Sequence, residues 1–303
     1  MSLTSLKERM RIAGEKSIVN VAFYSAFPNQ TEEIGRIVGD GGAIAFKLFM
    51  SQRIGGIDPQ DHETLAKALK ETAEAGVPVA VHAEDSRLLE QKRMEYGESE
   101  DLRSYLKVHS PEAEAEAVKY ALELMKITGA RIHFCHISSA EGVNLISSAK
   151  KAGLPITCEV TPHHMLISAE YLERTGLIAL ADPPARSLRH IDELWSSLAT
   201  GTIDAFASDH APHTIEEKTE KSVWQVKTGI PGLETTLPLL LTQVNEGRLD
   251  LSKLIRMTST NPSRIFGLKE RGGLNEGNYA DLVVVDMKEE YKIDSSRFYT
   301  KAK

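Results

Sequence analysis

Six of the ten histidines are predicted to lie at or just beyond the carboxyl ends of strands. In parallel α/β folds, ligands bind and catalysis occurs at this edge of the sheet. A single His there is ordinarily a hydrogen-bonded structural residue, but six from four strands favour a metal site or an acid–base site. The six are His82, His136, His163, His164, His210 and His213.

Lys47 lies within an apolar strand sequence, Ala-Ile-Ala-Phe-Lys-Leu-Phe-Met. An unpaired ammonium group buried there would cost several kcal/mol, so the side chain must be paired, modified or extended to solvent from the strand end. If it is desolvated, the neutral amine can add carbon dioxide, and the resulting carbamate could bridge two cations.

Residues 208–213, Ser-Asp-His-Ala-Pro-His, give the strongest single indication of chemistry. Asp209 could be a helix N-cap at a strand-to-loop corner. Because His210 is adjacent and His213 follows three residues later, we favour a carboxylate that binds metal and transfers protons.

Two further loops hold polar residues that could face a substrate. Val-Thr-Pro-His-His at 160–164 follows a predicted strand, and Pro-Pro-Ala-Arg occupies 183–186. These could be rigid loops with a surface arginine, or Arg186 or a histidine could meet an anionic group of a ligand. Cys135 and Cys158 lie within strand sequences and are interpreted as small buried side chains.

Strands that alternate with amphipathic helices must position these residues. A helical segment follows each of the second, third, fourth and fifth strands, and its apolar residues recur at i, i+3 and i+4. The four segments are 59–76, 110–129, 140–153 and 189–201. This order predicts an α/β fold with a parallel sheet, either doubly wound or closed as a barrel. No G-x-G-x-x-G motif follows the first strand, so a dinucleotide-binding fold lacks its main sequence support. The six predicted strands are 18–23, 43–49, 78–82, 131–137, 155–160 and 203–208.

The pattern changes after the sixth strand. A polar loop at 214–228 precedes Gly-Ile-Pro-Gly and an apolar helix at 233–244, and short hairpin-like strands, among them 280–285, are predicted from Gly272. We therefore predict two domains, an α/β barrel at 1–270 and a partial β-sandwich at 271–303.

Composition excludes several classes of protein. The 303 residues include 36 Lys and Arg against 43 Asp and Glu, and the net charge of −7 is too acidic for an electrostatic nucleic-acid binder. Two cysteines and the lack of an apolar run of membrane-spanning length predict a cytoplasmic protein with no membrane association and no disulfide framework.

Together these segments resemble the cyclic-amide branch of the amidohydrolase superfamily, and within it the dihydroorotases. The resemblance rests on Phe-Lys-Leu-Phe-Met (46–50), Val-His-Ala-Glu (81–84), His-Phe-Cys-His (133–136), Pro-His-His (162–164), Asp-His-Ala-Pro-His (209–213) and Gly-Ile-Pro-Gly-Leu-Glu (229–234). It implies a (β/α)8 barrel with a small β-sandwich, and a zinc site with Lys, His, His and Asp on barrel strands four, five, six and eight.

The resemblance also implies a role for each matching residue. Lys47 would be a carboxylated bridging lysine, His82 and His136 zinc ligands, and Asp209 both a zinc ligand and the general base that takes a proton from the attacking water. The substrate would be held by residues on the loops, namely His213, Arg186, His163, Pro231 and Gly232.

One part of the family pattern is absent: no His-x-His occurs in this sequence. Only 46 residues precede Lys47, so barrel strands one and two and half of the sandwich are expected to be missing, and one zinc ion or two could bind. The barrel would then have an open edge, which a second copy of the chain could cover as a homodimer.

Three functions remain open. The first is hydrolysis of dihydroorotate to N-carbamoyl-aspartate, in pyrimidine biosynthesis. The second is a catalytically inactive relative that assembles with aspartate transcarbamoylase. The third is hydrolysis of allantoin, a hydantoin or a dihydropyrimidine, whose ring would need no carboxylate clamp.

Overall fold

Six short parallel strands form one sheet, and they lie in it in chain order. The structure is a computed structural model that describes residues 2–302, so Met1 and Lys303, the outer ends of the two predicted domains, lie outside it. Parallel neighbours joined by helical crossovers confirm the predicted α/β class. The strands are β1 (Tyr24–Ala26), β2 (Ala45–Phe49), β3 (Val79–His82), β4 (Ile132–Phe134), β5 (Thr157–Val160) and β6 (Ala205–Phe206).

The first strand is displaced from its predicted position. The prediction was 18–23, but β1 begins at Tyr24, and Ile18 and Val19 are exposed. A strand exists only where a neighbour supplies ladder hydrogen bonds, and pairing with β2 begins where Ile44 N donates to Phe23 O. The other five strands lie inside their predicted segments and are shorter.

Local sequence sets the helix ends. The Ser110 side chain caps the first turn of the helix over 111–128, Pro111 occupies its first turn, and Gly129 ends it with a left-handed φ of 72°. The four predicted helices correspond to the helices His62–Glu74, Pro111–Thr128, Ala140–Lys151 and Leu188–Ala199. Within residues 2–302 the helices are α1 (Leu3–Lys16), α2 (Ile34–Gly39), α3 (His62–Glu74), α4 (Ser86–Tyr96), α5 (Leu102–Val108), α6 (Pro111–Thr128), α7 (Ala140–Lys151), α8 (Pro162–Leu166), α9 (Ala169–Thr175), α10 (Leu188–Ala199), α11 (Ile215–Lys218), α12 (Thr236–Asn245), α13 (Leu251–Ile255) and α14 (Asn261–Ile265).

The alternation of side chains along β2 shows how the sheet separates core from site. Phe46 and Leu48 are buried in the main hydrophobic cluster, which the outer helices α3, α6 and α7 complete. Lys47 and Phe49 lie on the opposite face and line a cavity. The period of two thus places the lysine on the face away from the helices.

The predicted strand at 280–285 does not form. From 271 to 302 the structure contains no strand, and Val283 and Val284 are 73% and 98% exposed. The alternating apolar pattern needs a paired strand to become a ladder, and in this described segment none lies beside it. The division into domains at 270 remains a prediction. Across 2–302, no helix combines the length and the apolar character needed to cross a membrane.

Candidate active site

A cavity of about 210 Å³ opens where the carboxyl ends of β2, β3 and β4 meet the loop after β6. It brings together the four residues predicted as metal ligands, from four separate strand ends. The lining residues are Lys47, Phe49, Gln52, His82, His136, Asp182, Asp209, Ala211, Thr228 and Gly229.

His82 and His136 form the centre of this cavity. Nδ1 of His82 lies 3.3 Å from Nε2 of His136, and both side chains are buried. Burial, together with the positive charge of Lys47, holds the pKa of His136 well below its usual range, so His136 is a neutral imidazole. Neutral imidazole nitrogens are the form of histidine that binds metals.

Asp209 faces the same cavity from the loop after β6. Burial raises its pKa above the usual aspartate value, although the charge of Lys47 opposes this. His136 and Asp209 both have positive φ, 33° and 42°, and Glu270 is the one other non-glycine residue of 2–302 that shares this property. Such strained backbone is held only where the surroundings over-determine it, and it clusters at functional sites.

The donor set fits a zinc ion. Two imidazole nitrogens that bind one tetrahedral Zn²⁺ are each about 2.0–2.1 Å from the ion, and this places them about 3.3 Å apart. The observed separation of His82 Nδ1 and His136 Nε2 is 3.3 Å. Asp209 adds a carboxylate and Lys47 an amine that carboxylation would convert to an oxygen ligand, and both line the cavity.

Glu84, His109 and Asp182 form a charged network beside this pair, and the sequence interpretation missed it. His82 Nε2 is 3.1 Å from Glu84 Oε2, and His109 Nδ1 is 3.1 Å from Glu84 Oε2 and 3.3 Å from Asp182 Oδ1. Possible ligand atoms of His82, Glu84 and Asp182 all lie within 4.8 Å of one another. Glu84 comes two residues after His82 at the end of β3, and this position was a signal in the sequence. His109 directly follows helix α5, and no nearby strand end marks it as a site residue.

The charges of this network stabilise one another. Burial alone would lower the pKa of His109, but the charge of Glu84 and the bonds to Asp182 and Glu84 raise it to about 10. Burial alone would likewise raise the pKa of Glu84, but His109 and His82 hold it well below its usual range. At neutral pH, an imidazolium therefore lies between two carboxylates.

Arg186, predicted to bind substrate, is not among the cavity-lining residues. It is buried, its Nε donates to Ser138 Oγ at 3.0 Å, and its Nη1 donates to His109 O. Ser138 in turn donates from its backbone and hydroxyl to the buried Glu114. In this structure Arg186 ties the loop after β4 to the end of α5.

The Pro-His-His segment also lies outside the cavity lining. His164 is buried with Nδ1 2.8 Å from Thr161 Oγ1 and Nε2 2.8 Å from Pro183 O, and burial lowers its pKa to about 4. His163 is buried, and burial lowers its pKa well below the usual range. Both are therefore neutral side chains, and neither lines the cavity.

The remaining predicted substrate residues lie on the loops after β6, outside the cavity lining. His213 pairs with Glu217 at 3.3 Å. Gly232 is packed so closely that an added Cβ would lie 2.4 Å from Ser208 O, and Pro231 precedes it. Gly229 is the residue of this glycine-rich turn that reaches the cavity wall.

Comparisons with known proteins agree on one group. Residues 29–302 match the amidohydrolase family. An L-hydantoinase of Paenarthrobacter aurescens is 34% identical over 98% of this chain and 66% of its own length, and a dihydroorotase of Methanosarcina acetivorans is 36% identical over 98% of this chain and 65% of its own. The structure of an L-hydantoinase (dihydropyrimidinase) from Arthrobacter aurescens superposes with a TM-score of 0.94 at 32% identity, over 99% of this chain and 68% of that one. The chain thus spans about two thirds of the length of the curated relatives it matches.

Proposed function

Because the chain belongs to the amidohydrolase family, we propose that its cavity hydrolyses the C–N bond of a cyclic amide with the help of bound Zn²⁺. The observation that carries the proposal is the placement of Lys47, His82, His136 and Asp209 around one cavity, with facing imidazole nitrogens 3.3 Å apart. His82, His136 and Asp209 are proposed as ligands, and Lys47 as a further one once carboxylated. When bound, one or two zinc ions would polarise the amide carbonyl and acidify water.

Asp209 is proposed as the general base. Its raised pKa, caused by burial, makes the carboxylate a better proton acceptor than an exposed aspartate. It would take a proton from the attacking water and later deliver it to the ring nitrogen as the C–N bond breaks. The low exposure of His136 excludes bulk water from one side of this exchange.

Dihydroorotate is the first proposed substrate, and N-carbamoyl-aspartate its product, a reaction of pyrimidine biosynthesis. The proposal is supported by the dihydroorotase relative, which aligns over nearly the whole chain. The exocyclic carboxylate of dihydroorotate needs a cationic or hydrogen-bonding partner, and His213 and Arg186 are the proposed partners. His163, Pro231 and Gly232 complete the proposed substrate-binding set.

A second candidate substrate is a neutral cyclic ureide such as hydantoin. Lys47 is the one Lys or Arg among the cavity-lining residues, and Asp182 adds a carboxylate there. An anionic wall disfavours an anionic substrate and accepts the N–H groups of a ureide ring. The hydantoinase relative and the 0.94 structural match support this alternative.

Ring opening by the purified chain tests both substrates. The chain is supplied with Zn²⁺ and bicarbonate and given dihydroorotate or hydantoin, beside Asp209→Asn as control. Turnover that is lost in Asp209→Asn supports the proposal. The ring that the chain opens preferentially, dihydroorotate or hydantoin, identifies the substrate. A folded chain without turnover on either ring would overturn it in favour of a non-catalytic barrel, for which binding to aspartate transcarbamoylase or to a second copy is the next assay.

A further inference from the structure

We propose that Glu84 is a positioning residue that fixes the tautomer and direction of His82, so that Nδ1 of His82 faces His136 as a metal donor. His109 holds Glu84 in place and connects it to Asp182 on the cavity wall. The inference rests on the metal site of the proposed function and assigns no step of the reaction to Glu84.

The first step of the argument is the hydrogen bond between Glu84 and His82. Glu84 is completely buried, and its Oε2 lies 3.1 Å from Nε2 of His82. A carboxylate oxygen at this distance from a ring nitrogen accepts a hydrogen bond from it, so the geometry assigns the N–H to Nε2. Nε2 is thus engaged with Glu84, and Nδ1, the nitrogen that lies 3.3 Å from His136 Nε2, is the one left to bind a metal ion.

The second step is what holds Glu84. His109 Nδ1 lies within 3.3 Å of both Glu84 oxygens and of Asp182 Oδ1, so its N–H donates to Glu84 while its charge pairs with Asp182. The ring of Tyr105 stacks on His109 with centroids 4.2 Å apart and an interplanar angle of 19°. The carboxylate is thus fixed from two sides, and an ion pair compensates for the burial of its charge.

The third step is the consequence of losing the charge. A glutamine at this position keeps the size of Glu84, but its amide can donate a hydrogen bond to Nε2 of His82. The proton of His82 would then favour Nδ1, which faces His136, and a metal ion would have to displace it in order to bind both nitrogens. Comparable changes to the partner of a metal-binding histidine reduce metal affinity about 10–100-fold.

Zinc affinity of the full chain is the measurement that tests this. Binding is measured by competition with a chromophoric chelator for the unaltered chain, Glu84→Gln and the control Asp204→Asn, which removes a partly buried carboxylate paired with Lys150 outside the cavity lining. We expect a 10–100-fold loss for Glu84→Gln alone, with an altered visible spectrum of bound Co²⁺. Equal affinities for Glu84→Gln and the unaltered chain would overturn the proposal.

A second measurement needs no variant. In the metal-free chain at neutral pH, nitrogen-15 NMR of the histidine rings reports which nitrogen of His82 carries the proton, and we expect Nε2. A proton on Nδ1 would overturn the positioning role even if the variant were unfolded.

The failure of this inference differs from the failure of the proposed function. A chain that binds Zn²⁺ with the expected loss in Glu84→Gln, but opens neither ring, would overturn the function and keep the positioning role. A chain that opens a ring with unchanged zinc affinity in Glu84→Gln would do the opposite.

Discussion

The predicted metal ligands line the cavity, whereas the predicted substrate-binding residues do not. Lys47, His82, His136 and Asp209 come from strands or strand ends, and all four line one cavity. The five predicted substrate residues are not among the residues that line it, and Arg186 and His213 have protein partners. The difference teaches that strand register fixes the direction of a side chain, whereas a loop side chain takes whichever partner its conformation offers.

Asp209→Asn is expected to have the largest effect. If Asp209 is the general base, kcat for ring opening should fall about 10³-fold, since an amide cannot accept the proton. Asn tolerates the positive φ of 42° at this position as well as Asp does, so the fold should persist. Steady-state kinetics on the preferred ring, with circular dichroism for folding, provides the measurement.

Asp192→Asn is the control for this variant, because Asp192 lies on helix α10, away from the cavity lining. Its kcat should match that of the unaltered chain. A kcat of Asp209→Asn within about tenfold of that value would mean that Asp209 is not the general base. The predicted ligands and the predicted substrate contacts would then no longer differ in their support.

Arg186→Ala should act on stability. Removal of the buried guanidinium leaves the Ser138 hydroxyl and the His109 carbonyl without their charged donor, and this should cost about 3 kcal/mol of unfolding free energy. Urea denaturation measures it, and Arg189→Ala, which removes an exposed arginine paired with Glu141, should cost under about 1 kcal/mol. Unchanged stability with a raised KM for dihydroorotate alone would show that Arg186 serves the substrate and not the fold.

His109 should make stability depend on pH. Its folded pKa of about 10 is above the ordinary value of 6.5, so its stabilising contribution is complete below pH 6.5 and is lost as the pH rises towards 10. The slope should reach about 1.4 kcal/mol per pH unit within that window. Denaturation across this range should show the slope in the unaltered chain and a smaller one in His109→Gln; identical slopes would mean that the charge pair is absent.

The sequence was sufficient for the strand order and for the four residues that meet around the cavity. Apolar runs followed by amphipathic helices located five of the six strands, and Lys47 and Asp209 stood out because charged residues at the ends of such runs need a reason. The positive φ of His136 and Asp209 had no sequence signal, since neither is followed or preceded by glycine.

The errors have a common physical origin. Residues 18–23 and 280–285 have strand-forming sequences, but a strand is a property of a pair. Within residues 2–302, neither 18–22 nor 280–285 lies beside a strand that would complete a ladder. Glu84 and His109 were overlooked for the same reason. Their importance lies in a contact across 25 residues of sequence, which no local pattern can report.

His213→Ala is expected to have the smallest effect, and it tests the loop group most directly. His213 is partly exposed and pairs with Glu217, which also holds Lys301, so its loss should change unfolding free energy by under about 0.5 kcal/mol. On hydantoin, KM should change less than about threefold, because that ring carries no carboxylate for His213 to hold. Glu217→Gln weakens the same pair and keeps the imidazole, which makes it the matched control. A KM for dihydroorotate that rises about tenfold in His213→Ala, with hydantoin and the control unaffected, would show that the loop moves onto a substrate carboxylate, because only one of the two rings carries that group.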